Sequence, residues 1–319
     1  MQTVRLLPAS LAALALLVAG CSNASGGNDT APSPAASATA SPTPAPPAFD
    51  ASRAFTDLET QVAFGARYPG SPGYTKMRDW LQKTLSESAG VEAKRHDFTA
   101  TARGKQIPMS NVFAHINPEA KTQVLLCAHY DTRPTADEEI DPIKKAQPIP
   151  GANDGASGVA VLLEIARMLK KNPPTCGVQI VFFDGEDYGP SEEDMYLGAK
   201  AWAKAFPLPK PTYAILIDMI GDKSLQIYRE QASESFAPEI NEKVWKAASA
   251  LGAGEFQNSV KYAISDDHIP LQKAGVKAID LIDFDYAPWH TLDDTPAQCS
   301  SASLGTVGKV LAKVVYDEK

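Results

Sequence analysis

Residues 155–189 read GASGVAVLLEIARMLKKNPPTCGVQIVFFDGEDYG, one helical pattern followed by one strand pattern. Apolar residues at helical spacing predict a helix over 155–171, and the run VQIVFF predicts a strand over 178–183. The same alternation continues downstream with a helix over 196–206, a strand over 213–217 and a helix over 239–251. A short helix near Pro270, a strand over 276–282 and a closing helix over 301–316 complete it. Upstream, residues 123–127 form a continuous apolar run of the kind buried on both faces of a parallel sheet. Before them, 91–100 and 108–117 alternate as strands, and 51–66 and 74–88 are amphipathic helices separated by the turn-rich RYPGSPG. Strands alternating with helices predict an α/β fold: a three-layer αβα sandwich around a mixed, mostly parallel central sheet, with an antiparallel edge from the early strands.

Polar residues of one chemical kind follow these strands. His129, the Glu186–Asp187 pair, Asp218 and His290 each come soon after an apolar run. In open α/β sheets ligands bind at the carboxyl ends of the strands, so separate strand ends deliver imidazoles and carboxylates to one rim. That is the composition of a zinc or two-metal site. Taken alone, His129 reads equally well as a core histidine, but Asp131 stands two residues on, where a metal-bound imidazole needs a carboxylate for its other nitrogen. Asp154 in GANDGASGV is by position an N-cap, although the surrounding glycines allow close backbone approach to a ligand. Glu186 and Asp187 repel each other unless a cation sits beside them, and a buried Asp218 needs a metal or a hydrogen-bonded partner. His290 in PWHTLDD has Asp293 and Asp294 nearby to orient it, and the charged, proline-containing segment 135–150 borders the predicted site.

The N-terminus carries different information. One positive charge in residues 1–5, an apolar run over 6–18 and then Ala19-Gly20-Cys21 mark a secretory signal. The run is too short for a permanent span of roughly 30 Å. Its end resembles a bacterial lipoprotein signal, which implies a signal peptide over 1–20, lipid on the Cys21 sulfur and an extracytoplasmic, membrane-anchored protein. Residues 21–48 are almost all small or polar and predict a disordered linker, leaving 49–319 as a single catalytic domain. The 319-residue chain has a net charge of −8 with scattered basic residues, so nucleic acid is not an expected partner, whereas a cationic substrate group is compatible. With Cys21 lipidated, Cys127, Cys176 and Cys299 are an odd set, so at least one thiol is free and no disulfide framework holds the fold.

From about Arg67 onward the chain resembles the M28 zinc peptidase family, and within it the glutaminyl-peptide cyclotransferases, bacterial ones above all. The resemblance rests on HYDTRP (129–134), PIPGANDGASGVAVLLEIAR (148–167), VFFDGEDYG (181–189), LIDMIG (216–221), SDDHIP (265–270) and WHTLDD (289–294). It implies that Asp154, Asp187 and His290 bind one Zn2+ and that Glu186 is the general acid/base. His129 and Asp218 are the positions that hold a second zinc in the aminopeptidases of the family; in cyclotransferases Asp218 pairs instead with the position of Asp266. Two-zinc aminopeptidases read Ser-Asp-His where this chain reads Asp266-Asp267-His268, which favours cyclisation of N-terminal glutamine on peptide or protein substrates. Trp289 resembles a substrate-pocket tryptophan, and Tyr286 is expected as a second wall. Two departures are Asp187, where animal enzymes have glutamate, and Tyr196, where tryptophan is expected. The alternatives are a two-zinc aminopeptidase and an inactive M28-like binding domain; the latter predicts a broken ligand set, and none of the expected positions is lost.

Overall fold

The computed structural model describes residues 47–319, so the signal segment, Cys21 and most of the expected linker lie outside the described residues. The strands are β1 (Lys94–Ala102), β2 (Lys105–Ile116), β3 (Gln123–His129), β4 (Gly177–Phe183), β5 (Tyr213–Asp218), β6 (Ile227–Arg229), β7 (Phe256–Val260) and β8 (Ala278–Ile282). Helices are α1 (Ala51–Ala63), α2 (Pro72–Ala89), α3 (Pro142–Lys145), α4 (Ala156–Lys171), α5 (Leu197–Ala205), α6 (Gln231–Phe236), α7 (Pro238–Leu251), α8 (His268–Lys273) and α9 (Ser301–Asp317).

A six-stranded sheet runs β1-β2-β4-β3-β5-β8. The pairs β3/β4, β3/β5 and β5/β8 are parallel, while β1/β2 and β2/β4 are antiparallel, which gives the expected mixed sheet with an antiparallel edge. Every residue of β3, β4, β5 and β8 is buried, because helices cover both faces. Along β3, Val124, Leu126 and Ala128 pack into one core and Leu125 and Cys127 into the other. The first core takes residues from α1, α2, α4, α7 and α9; the second takes Ala199 and Trp202 from α5 and Leu271 from α8. Each fully buried aliphatic side chain is worth about 1.5–3 kcal/mol, so a sandwich this well filled can carry the electrostatic cost of a charged rim.

Some elements differ from the sequence reading. Strand β1 is shifted toward the C-terminus of 91–100, and the small β6/β7 sheet was not anticipated. The β6 strand has only three residues, and in β7 (FQNSV) only Phe256 is buried, so neither shows a clear periodic signal. Cys127, Cys176 and Cys299 are all free and buried. Among the described residues no helix is long and apolar enough to cross a membrane.

Candidate active site

Because β3, β4 and β5 are parallel neighbours, their carboxyl ends share one rim. His129 is the last residue of β3, Asp218 the last of β5, and Glu186 and Asp187 follow the end of β4. Asp154 precedes α4, and His290 lies in the segment after β8. The structure brings these side chains into two groups of potential metal ligands, His129–Asp154–Asp218 and Asp154–Asp187–His290, the donor atoms of each lying within 4.8 Å of one another. Asp154 belongs to both: its Oδ1 is 3.1 Å from His129 Nε2 and its Oδ2 is 3.5 Å from His290 Nε2. It does not cap α4, whose N-cap is Gly155 with no side-chain hydrogen bond, so the capping role suggested by its position is not the one it takes.

Two details of the second group fit a cation. His290 Nε2 lies 3.4 Å from Asp187 Oδ2 and 3.5 Å from Asp154 Oδ2, close to the roughly 3.3 Å edge of a tetrahedron with zinc–ligand arms near 2.0–2.1 Å. Asp187 Oδ2 is also a buried oxygen with no hydrogen-bond partner, while Oδ1 of the same carboxylate accepts from Arg133 Nη1 at 2.6 Å. One oxygen is thus held by protein and the other is left for a ligand. In the first group His129 Nε2 is already 3.2 Å from Asp218 Oδ1, within hydrogen-bond range.

The main chain makes the floor. A Cβ at Gly155 would lie 2.2 Å from His129 Nε2, so only glycine lets the imidazole rest there. At Gly158 a Cβ would lie 2.6 Å from the Ile217 carbonyl oxygen, so this turn of α4 is seated directly on β5. His290 has φ 54°, a left-handed conformation that costs a non-glycine residue about 1–3 kcal/mol and is tolerated where the surroundings enforce it. Trp289 stacks on His290, with centroids 3.9 Å apart and an interplanar angle of 23°.

Residues that hold the ligands differ in part from those expected. Asp137, not Asp293 or Asp294, faces the outer nitrogen of His290, with Oδ1 3.3 Å from Nδ1. Asp293 is exposed, whereas buried Asp294 accepts from the backbone N–H of Asn153 (2.8 Å) and of Asp154 (3.2 Å), fixing the main chain instead. Tyr286 does not wall the pocket; its hydroxyl donates to Asp294 at 2.8 Å and its ring is buried behind. Asp131 stands 3.5 Å from His129 Nδ1 and accepts from the backbone N–H of Glu186 (3.1 Å) and Asp187 (3.2 Å), which aims both carboxylates. Three residues escaped the sequence reading. Arg133 bridges Asp187 and Asp137; Asp137 bridges Arg133 and His290; and fully buried Arg67 donates to the carbonyls of Tyr130, Pro150 and Gly151, fastening the chain that leads to Asp154. Apart from the Arg133–Asp137 contact, the partners lie more than fifty positions away in the chain and leave no local signal.

A pocket of about 60 Å³ opens here, lined by Asp154, Glu186, Asp187, Asp218 and Asp266 with Met195, Ile264, Phe284, Trp289 and His290 on its walls. Tyr196 does not line it but donates to the Ser265 carbonyl at 2.6 Å, fixing the turn that presents Asp266. Burial, and after it Asp266, push the Glu186 carboxyl well above the usual range against the pull of His129. Burial and then Asp218 raise Asp266 likewise. The histidines move the other way from desolvated bases: burial opposes their charge, but Asp218 holds His129 well above its ordinary value, and Asp187 leads Asp137 and Asp154 in raising His290 to about 10. Buried carboxylates in this excess repel one another and call for a cation.

Comparison with known proteins agrees with this geometry. The model of "Peptidase family M28" matches residues 111–315. The solved glutaminyl cyclase of Bacteroides thetaiotaomicron, bound to N-acetylhistamine, superposes with a TM-score of 0.83 and 36% identity, covering 86% of this chain and all (100%) of that one. A Zn-dependent exopeptidase from Parabacteroides distasonis is similar to the same degree, with TM-score 0.83, 35% identity and coverage of 86% and 100%. Among curated sequences, the glutaminyl-peptide cyclotransferase of Boiga irregularis is 26% identical over 295 residues, covering 79% of this chain and 77% of its own.

Proposed function

We propose, from the premise that this chain belongs to peptidase family M28, that it is a glutaminyl-peptide cyclotransferase, converting the N-terminal glutamine of peptides to pyroglutamate with release of ammonia. The observation that carries the mechanism is the arrangement of three buried donors, Asp154, Asp187 and His290, beside a carboxylate that none of them uses. In this reading those three hold one zinc ion, which when bound polarises the γ-carbonyl of the substrate glutamine.

The remaining work falls to the protein. The Glu186 side chain makes no hydrogen bond among the described residues, lines the pocket and is made more basic by burial and by Asp266, the properties of a carboxylate that takes up a proton and hands it on during turnover. It takes a proton from the α-amine as that nitrogen bonds to the γ-carbonyl carbon. As the bond to the side-chain nitrogen breaks, Glu186 returns the proton and ammonia leaves; no water is consumed. Asp218 and Asp266, both on the pocket wall, accept hydrogen bonds from the amine groups. Trp289, Phe284 and Ile264 fold the glutamine side chain back on itself and exclude water. Because attacking and departing groups belong to one residue, a small pocket walled by Trp289, Phe284 and Ile264 suits the need to compact a single side chain.

Mass spectrometry of a glutamine-headed peptide after incubation tests the activity: loss of ammonia from the intact peptide is expected. Release of free glutamine would instead support the second reading, a two-zinc aminopeptidase, for which the His129–Asp154–Asp218 group is the specific observation. Metal analysis gives one zinc per chain under the first reading and two under the second. Asp137→Ala removes the carboxylate facing His290 Nδ1, and metal affinity measured by chelator competition should fall about 10–100-fold, as for other residues that orient a ligand. Unchanged affinity would remove Asp137 from the assembly.

The N-terminal reading belongs to the same proposal. Residues 1–20 act as a signal, Cys21 receives lipid, and residues 21–48 tether the enzyme outside the cytoplasm, where it meets the N-termini of exported peptides and proteins; the motif at 19–21 supports this.

A further inference from the structure

The segment between Arg133 and Ile149 is closed at its neck. Ala136 N–H donates to the Gln147 carbonyl at 2.7 Å, Ile149 N–H donates to the Arg133 carbonyl at 3.3 Å, and Ala136 and Ile149 are buried. Its descending arm is fastened to the active-site wall. Asp137 reaches His290, Glu138 N–H donates to the His290 carbonyl at 3.2 Å, and Glu139 Oε1 accepts from Leu292 N–H at 3.1 Å. At the exposed tip the chain is braced by its own polar groups: Asp141 accepts from Ile143 N–H at 2.8 Å, and Gln147 Nε2 donates to the Ile143 carbonyl at 3.3 Å. Two large apolar side chains stand exposed among these polar residues. Ile140 is 98% exposed and Ile143 77% exposed, three residues apart on one fixed tip. Isolated exposed apolar residues are ordinary, but a pair held out by a pinned loop at the mouth of a pocket is a surface kept free of the core.

We propose that Ile140 and Ile143 form an apolar docking surface for the substrate polypeptide beyond its N-terminal glutamine, an inference that rests on the cyclotransferase reading. The occupant follows from the reaction: the N-terminal glutamine sits among Glu186, Asp218, Asp266 and Trp289, so the rest of the substrate must run out over the rim, and the loop fastened beside His290 is part of that rim. From Asp137 to Ile140 the chain spans at most about 11 Å. An extended peptide advances about 3.3 Å per residue, so its third to fifth residues come within reach of the tip. Exposed Glu138 and Asp141 are offset by Lys144 and Lys145, leaving apolar contact as the basis of selection.

The test compares the wild-type protein with Ile140→Ser/Ile143→Ser on three substrates: glutamine amide, and two glutamine-headed heptapeptides carrying leucine or serine at positions three to five. Both positions are exposed, so the variant keeps the fold. Wild type should favour the leucine peptide by about tenfold in kcat/KM, the order expected from partial burial of two isoleucines. The variant should lose that preference through KM alone, with unchanged rates on glutamine amide and the serine peptide. Equal turnover of the two heptapeptides by wild type overturns the proposal while leaving cyclisation intact. Absence of turnover on glutamine amide overturns the activity itself, and the docking surface with it. Unchanged peptide kinetics together with weaker sedimentation on phosphatidylglycerol vesicles, or with lost self-association, assigns the tip to a membrane or a second copy and likewise overturns it.

Discussion

Glu186→Gln should leave a folded, zinc-loaded protein whose cyclisation rate is lower by about 10²–10⁴-fold, the usual worth of a positioned acid/base. Two observations make the outcome specific. The Glu186 carboxylate makes no hydrogen bond among the described residues, so the isosteric amide breaks none, and it is not one of the three donors that surround the proposed zinc position. Burial and Asp266 disfavour its charge while His129, 3.9 Å away, favours it, so the neutral amide relieves one interaction and loses the other and thermal stability should change little. Ammonia release gives the rate, and metal analysis with thermal unfolding gives the two controls. Activity within a few fold of wild type would remove Glu186 from its role and point to Asp266 as the proton carrier.

The second large effect is expected at Asp154. It is shared by both ligand groups, with one oxygen toward each imidazole, so Asp154→Ala strikes at His129 and His290 together. Zinc should be lost on dialysis and turnover should fall by roughly a thousandfold or more, since a Lewis acid contributes several kcal/mol and each 1.36 kcal/mol is a factor of ten. Folding should survive, because the local main chain is held by Asp294 at Asn153 and by Arg67 at Pro150 and Gly151. Partial recovery in excess zinc is expected, as two donors remain. Full metal content in the variant would contradict the proposed ligand set, and full activity would contradict the need for metal.

Much of this architecture was legible before any coordinates. The runs 123–127 and 178–183 lie inside strands buried on both faces, and the polar residues after them reach one rim, because a parallel sheet gathers its carboxyl ends. The support around the ligands was not legible. Asp294 is close to His290 in sequence, yet the backbone turns it toward Asn153; Asp137, more than 150 positions from His290, takes the place expected for it. Tyr286 illustrates a second limit: an amphipathic ring suits a pocket wall or a buried brace equally, and only the acceptor for its hydroxyl decides. Arg67 sits in a turn-rich segment, where nothing local shows that its guanidinium will be buried among carbonyls.

The glycines under the imidazole separate what can evolve from what cannot. With Gly155 against His129 and Gly158 against the Ile217 carbonyl, the base of the site is peptide backbone, and no side-chain substitution can remodel it without lifting a whole helix off the sheet. Adaptation to new partners is therefore left to the roof, at Met195, Ile264, Phe284 and Trp289, and to the rim loop that carries Ile140 and Ile143, where residues can change while the chemistry beneath stays as it is.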